Sequence, residues 1–258
     1  MTQPDPVEDL RPGTTLGQTA DSPAHVAEVP SLPPSYRPKT LALVSAGAGI
    51  CFAALTVWIA RQAGAVPGLD HSVHTWVVEH RSPGSLTLAR TVTWGGVTTV
   101  VLPALIAVGA VAEKGGSLQR RLGSGILLAG VASVGVYLGL RVNAMVGRVR
   151  PPLADWAGAA GGPSFPSGHT TAATLFAASC AWALSARLGA GWPRRGLWAG
   201  AAVYAAAVGW SRIWLGVHWP TDVVGSWLFA VTWLTGIAAA LVAVRRRSSR
   251  PRTESHPS

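Results

Sequence analysis

The chain has 258 residues, 49% of them apolar and only 12% charged, about half the charged share of an ordinary soluble domain, which excludes water as the solvent for most of it. Its net charge of +10 rests on 21 Lys and Arg against 11 acids. These bases sit in short clusters between long apolar runs with no interleaved aromatics, a pattern of loops facing a membrane surface that argues against nucleic acid as a partner.

Residues 1–39 are rich in Pro, Ser, Thr, Asp and Glu without apolar periodicity and read as a disordered tail. No basic segment leads directly into an apolar stretch, so a signal peptide is not expected. From Thr40 onward, runs long enough to cross ~30 Å of hydrocarbon recur at 40–60, 93–112, 124–142, 168–188, 196–215 and 221–244. The predicted fold is therefore all-α, a polytopic membrane protein of about six transmembrane helices over 40–244, followed by a basic tail at 245–258. The segment 61–92, with Pro67, Gly68, Asp70 and Pro83, is too polar to span and is expected to be a short amphipathic helix at the interface. Cys51 and Cys180 lie inside apolar runs, where a thiol behaves as a small hydrophobe, so neither a disulfide nor a cysteine metal site is expected.

Sorting the basic residues onto alternate sides of six spans gives 14 on the side of the termini and 7 on the other. Basic loops are retained in the cytoplasm, so both termini are expected there, with loops 143–167 and 211–221 on the outer face of a cell membrane. Trp94, Trp156, Trp192, Trp210 and Trp219 fall near span ends, as interfacial anchors do.

Three segments place ionisable groups beside these spans, where they are costly and usually functional. Gly147-Arg148-Val149-Arg150-Pro151 follows the third span, Phe165-Pro166-Ser167-Gly168-His169 opens the fourth, and Ser211 to Asp222 joins the fifth to the sixth. Pro166-Ser167-Gly168-His169 has the form of a helix start, whose free N–H groups attract anions and whose glycine admits a phosphate close to the backbone. Trp219-Pro220-Thr221-Asp222 repeats that logic. Arg150 and Arg212 would add guanidinium forks that match phosphate oxygens. His218 and Asp222, four apart, allow the carboxylate to hold one ring nitrogen and leave the other as a nucleophile. Arg148 reads equally as a phosphate or headgroup contact and as a plain interfacial arginine. Asp70, His71 and His74 lack a carboxylate cluster and are not read as a metal site; the outer loops offer Asp155 and Asp222, with no second carboxylate expected near either, which disfavours a two-metal hydrolase.

These segments resemble the signature of the type 2 phosphatidic acid phosphatase superfamily: Lys, six residues, Arg-Pro; then Pro-Ser-Gly-His; then Ser-Arg, five residues, His, three residues, Asp. Pro166 to His169 match the second motif in full, and Ser211, Arg212, His218 and Asp222 match the third. Arg150 and Pro151 match the first, but Asn143 stands where the family has Lys. The resemblance covers roughly residues 40–244.

It implies a phosphatase without cofactor or metal, in which His218 attacks phosphorus to form a phosphohistidine and Asp222 holds its ring. His169 then serves as acid to the leaving oxygen and as base to water. Arg150, Arg212, Ser167 and the Gly168 N–H would hold the phosphate oxygens, with Asn143 as a further donor. The implied partners are the bilayer and a lipid phosphate such as phosphatidate or undecaprenyl diphosphate. The rival reading is a non-catalytic lipid-phosphate binder or transporter, which the Asn143 departure keeps open. Oligomeric state is not legible.

Overall fold

Pro and Ser residues set most of the helix starts in this computed structural model, which describes residues 37–62, 64–113, 115–188 and 191–248. The helices are α1 (Pro38–Arg61), α2 (Gly68–Glu79), α3 (Pro83–Thr93), α4 (Thr98–Ala112), α5 (Leu118–Val146), α6 (Gly168–Ser185), α7 (Trp192–Trp214) and α8 (Pro220–Ser248), with 3-10 turns at Trp94–Gly96 and Leu153–Asp155. Ser82 and Ser85 form a reciprocal capping box at the start of α3, and Pro83 fits its first turn. Ser117 and Ser167 accept from backbone N–H groups three residues on and so cap α5 and α6. Gly147 ends α5 in the left-handed region at φ 63°, a conformation that glycine adopts without strain.

The bundle is organised around α6, which packs against α4, α5, α7 and α8 and whose Ala172, Ala173, Leu175 and Ala181 are almost wholly buried. Small residues allow the close approaches. A Cβ on Gly109 of α4 would lie 2.6 Å from the Gly125 Cα of α5, and Gly135 of α5 admits Leu175 and Trp233. Leu105, Ala132, Leu175 and Ala230 form the central apolar cluster. Peripheral α1 lies along α8, buries only Leu41 and Ile59, and turns Leu43, Ile50 and Val57 outward. Ile126, Val134, Leu140 and Val203 are exposed on α5 and α7 in the same way, the apolar exterior expected of helices solvated by lipid.

Among the described residues, three helices are long and apolar enough to cross a membrane: α1, α5 and Pro220–Arg246 of α8; the bent pair Pro83–Gly96 and Thr98–Ala112 makes a fourth if it acts as one span. The expected continuous span at 93–112 is instead broken by the Trp94–Gly96 turn, with a bend of 56° between its helical parts. Gly95-Gly96 and extended Val97 interrupt the helix, leaving α4 at 15 residues, about 22 Å. The expected single interfacial helix at 61–92 is two helices, α2 and α3, separated at His80–Ser82. Helix α8 runs through Arg245 to Ser248, so the basic tail starts later than its composition suggests. Of the expected N-terminal tail, residues 1–36 lie outside the described residues, as do 249–258.

Candidate active site

The C-terminal ends of α5 and α7 and the N-terminal ends of α6 and α8 meet at one end of the bundle, and α2 and α3 cover them. Backbone bonds tie the three motifs together. Ser164 N donates to Arg148 O at 2.8 Å, Ser167 N to Asp222 O at 3.4 Å, and Ala157 N to Leu215 O at 2.9 Å. Ser226 Oγ adds a bond to Ser167 O at 3.0 Å. The chain thus brings together segments up to 59 residues apart, in a layer cored by Ala89, Leu215 and Val217.

At the centre stands His218, 2% exposed, against the fully buried Asp222. Asp222 Oδ2 accepts from the Trp219 N–H at 2.8 Å and from His218 Nδ1 at 3.3 Å. On the other side of the ring, Arg150 NH1 lies 2.9 Å from His218 Nε2. A guanidinium can only donate, so Nε2 must accept and the proton sits on Nδ1, facing the carboxylate. Burial drives the His218 ring down to about 4, against the upward pull of Asp222 and with Arg150 and Arg212 adding to the fall. The imidazole is therefore neutral at pH 7, with its Nε2 lone pair directed at the cation cluster.

Arg150 also donates to the carbonyls of Val217, Gly161, Gly162 and Pro163 at 2.7–2.9 Å, which holds the 161–163 turn around it. Burial lowers its pKa, an effect Asp222 partly offsets. Arg212, 2% exposed, donates to Thr93 Oγ1 at 2.9 Å and to Ala159 O at 3.0 Å, while its Nε is buried without a partner. An orphaned buried donor on a guanidinium is the kind of group that an anion satisfies. His169 lies within electrostatic reach of Arg212, His218 and Arg150. Ser167 Oγ accepts from Thr170 N at 3.4 Å and from Thr170 Oγ1 at 3.1 Å, so it caps α6 while its own hydroxyl hydrogen remains to be placed. Gly168 has room for a Cβ, its nearest neighbour being Leu140 at 3.8 Å, so packing within the protein does not require glycine there.

Asn143 sits differently from its expected role. Its Nδ2 donates to Pro163 O at 2.9 Å and to Pro166 O at 3.1 Å, so both amide hydrogens are spent on the loop that carries Ser167. Arg148 is neither a headgroup contact nor a surface arginine: its side chain is 8% exposed and spans two carboxylates, Asp222 at 2.5 Å and Asp70 at 2.6 Å. A second carboxylate therefore does stand near Asp222, contributed by α2 and separated from it by a guanidinium. His74, one turn along α2, bonds Asp155 at 2.9 Å.

Thr93, Gly96, Ser164 and Asp70 are the residues here that the motifs did not reveal. A Cβ on Gly96 would lie 2.7 Å from His169 O and 2.8 Å from His169 Cβ, so the 3-10 turn reaches the histidine only with glycine there. A double glycine inside an apolar run was the available signal.

The sequence profile of the PAP2 superfamily matches residues 121–246. An 86-residue stretch is 44% identical to phosphatidylglycerophosphatase B of Escherichia coli, but covers only 33% of this chain and 30% of that relative. Phosphatidylglycerophosphatase B of Bacillus subtilis is 30% identical over 166 residues, 62% of this chain and 77% of the relative. The crystal structure of a transmembrane PAP2 type phosphatidylglycerolphosphate phosphatase from Bacillus subtilis has a TM-score of 0.63 at 24% identity, over 84% of this chain and 99% of the other, and thus shares its fold. With the two complete motifs meeting in one buried site, the chain belongs to the PAP2 superfamily.

Proposed function

We propose that the protein is a metal-independent lipid phosphate phosphatase working through a phosphohistidine. The observation that carries this reading is the neutral His218, its Nδ1 held by Asp222 and its Nε2 facing Arg150. Binding alone needs cations but no oriented nucleophile. In the reaction, substrate phosphate takes the place of Nε2 as an Arg150 partner and fills the open valence on Arg212. His169 takes up a proton as the anionic phosphate enters beside it; Nε2 attacks phosphorus, the bond to the lipid oxygen breaks, and His169 gives that oxygen its proton. His169 then takes a proton from water as the water displaces His218 and frees phosphate. Ser167 and the Gly168 N–H complete the cradle for the nonbridging oxygens.

With α6 and α7 supplying two of six crossings, both termini lie on one side, and the basic clusters there favour the cytoplasm, with the site on the outer side. The arginine distribution supports this: Arg187 donates to the carbonyls of Val111, Ala112 and Glu113 at the end of the bundle away from the site. A site at headgroup depth suits a substrate whose tail stays in lipid. Phosphatidate, phosphatidylglycerol phosphate and undecaprenyl diphosphate all meet that description, and the names of the relatives favour the second. Asn143, with its amide committed to the loop, supports the rival reading of a binder without turnover, because one family cation is missing.

The test is phosphate release by detergent-purified protein in EDTA with each of these three lipids, beside His218→Ala. Turnover that survives EDTA and is lost in the variant is the expected result. Binding without release, from folded protein, would favour the rival. Labelling of single cysteines placed in 153–162 and in 114–117 by an impermeant thiol reagent tests the sidedness.

A further inference from the structure

The charge on Asp222 has no counterpart in His218, which is neutral. Its counter-ion is Arg148, and Arg148 is in turn held by a residue outside the three motifs. Arg148 NH1 donates to Asp222 Oδ1 at 2.5 Å and to Thr221 Oγ1 at 2.7 Å, and NH2 donates to Asp70 Oδ2 at 2.6 Å. Asp70, fully buried on α2, closes the ring. Its Oδ1 accepts from the Thr221 N–H at 2.9 Å, a free amide of the first turn of α8, and its Oδ2 accepts from Thr221 Oγ1 at 2.6 Å. Asp70, Arg148 and Thr221 thus form a closed cycle of hydrogen bonds from three elements, and Arg148 joins Asp222 to it.

We infer that Asp70 and Arg148 are positioning residues, a clamp that holds the Asp222 carboxylate so that Oδ2 alone faces His218 Nδ1 and Nε2 stays directed at the phosphate site. Arg148 holds Oδ1 by the shorter contact, beside the Ser164 hydroxyl at 3.4 Å, while the Trp219 N–H and His218 share Oδ2. Two contacts on opposite oxygens fix the carboxylate plane, which one contact could not. Stability is a poor reason for such a cluster, because buried ion groups are often matched or exceeded by apolar packing of similar volume. Orientation of the nucleophile is a better one. The charged and titratable groups facing the pair from the surrounding elements are Asp70, Arg148, Arg150, His169 and Arg212, so the clamp contributes one of three cations and the only second carboxylate in that set. Helix α2, which lies outside the stretch matched by the superfamily profile, becomes a working part of the site.

This inference rests on the phosphatase reading, and its experiment separates the two. Full-length protein in detergent micelles is assayed for phosphate release as wild type, Asp70→Asn, Arg148→Lys, Arg148→Gln and the Asp70→Asn/Arg148→Gln double variant, with His218→Ala as blank. Rates are expressed per folded protein, measured by thermal unfolding. Asp70→Asn should lower kcat by about 10- to 100-fold, the cost of misplacing a catalytic group, with KM within about twofold. Arg148→Lys keeps the charge without the fork and should fall between wild type and Arg148→Gln. The double variant should lose no more than the worse single variant, because the two residues act through one carboxylate. Wild-type kcat in Asp70→Asn, or losses that multiply in the double variant, would overturn the clamp and leave the phosphatase standing. A silent wild type would overturn both. If Arg148→Gln does not fold, Asp70→Asn and Arg148→Lys, which keep shape or charge, decide the matter through the split between kcat and KM.

Discussion

Replacing Asp222 by Asn keeps the shape of the side chain and isolates what its charge and acceptor capacity do. Three groups donate to the carboxylate: Arg148 on Oδ1, and the Trp219 N–H and the His218 Nδ1–H on Oδ2. An amide has one acceptor oxygen and one NH2, so wherever the NH2 is placed it meets a donor. Against Arg148 it would break the shorter contact and leave a buried guanidinium with one carboxylate. Against His218 it forces the ring to accept at Nδ1 and carry its proton on Nε2, which removes the nucleophilic lone pair and points that proton at Arg150 NH1, 2.9 Å away. The first arrangement releases the arginine that orients the side chain, and the second takes the lone pair from Nε2. A comparable Asp→Asn change in a Ser-His-Asp triad lowers kcat about 10⁴-fold, or about 5 kcal/mol of barrier, and a loss of that order is expected here. The assay is phosphate release from phosphatidate in mixed micelles, with kcat and KM measured on protein whose melting transition matches wild type. A folded Asp222→Asn that keeps more than about a tenth of wild-type kcat would refute the tautomer argument.

Gly96→Ala would set a methyl 2.7–2.8 Å from His169, and the turn must retreat from the histidine. We expect kcat to drop by about tenfold or more while the fold persists, and unchanged kinetics would mean the turn yields without moving His169. Because burial holds His218 at about 4, its ring should stay unprotonated as pH falls through 6.5 and take up a proton only toward 4, which an NMR titration of the histidine side chains reads directly. The same shift has a sign for stability: the unfolded histidine takes up a proton near 6.5 and the folded one does not, so stability falls with pH between about 6.5 and about 4. A His218 signal that titrates near 6.5 would contradict the buried neutral ring. Asn143→Ala leaves the carbonyls of Pro163 and Pro166 without that donor, which should cost about 1–3 kcal/mol of stability and lower the melting temperature. A large rise in KM with no change in melting would instead make Asn143 a phosphate ligand.

Much of this protein was legible in one dimension because its signals are local. Apolar run length sets where a chain can lie in lipid, and α1, α5 and α8 came out close to their expected bounds. The pairing of His218 with Asp222 is a short-range one, since Asp222 in the first turn of α8 reaches back to the Trp219 N–H and to His218 beside it. Likewise, Ser167 opens α6 because a hydroxyl before a helix satisfies a free backbone amide. What run length could not reveal was the break at Trp94–Gly96, where contact with His169 and Tyr204 overrides an apolar stretch that reads as one helix. Nor could motif spacing assign Arg148, Asn143 or Asp70. Arg148 bonds partners 74 and 78 residues away, Asn143 holds carbonyls 20 and 23 residues on, and Asp70 reaches a helix end 151 residues away. Residue type and local pattern alone determined which groups belong to the candidate site. Only the tertiary structure decided which charges neutralise one another, because a buried charge is defined by whatever the fold brings within a few ångströms of it.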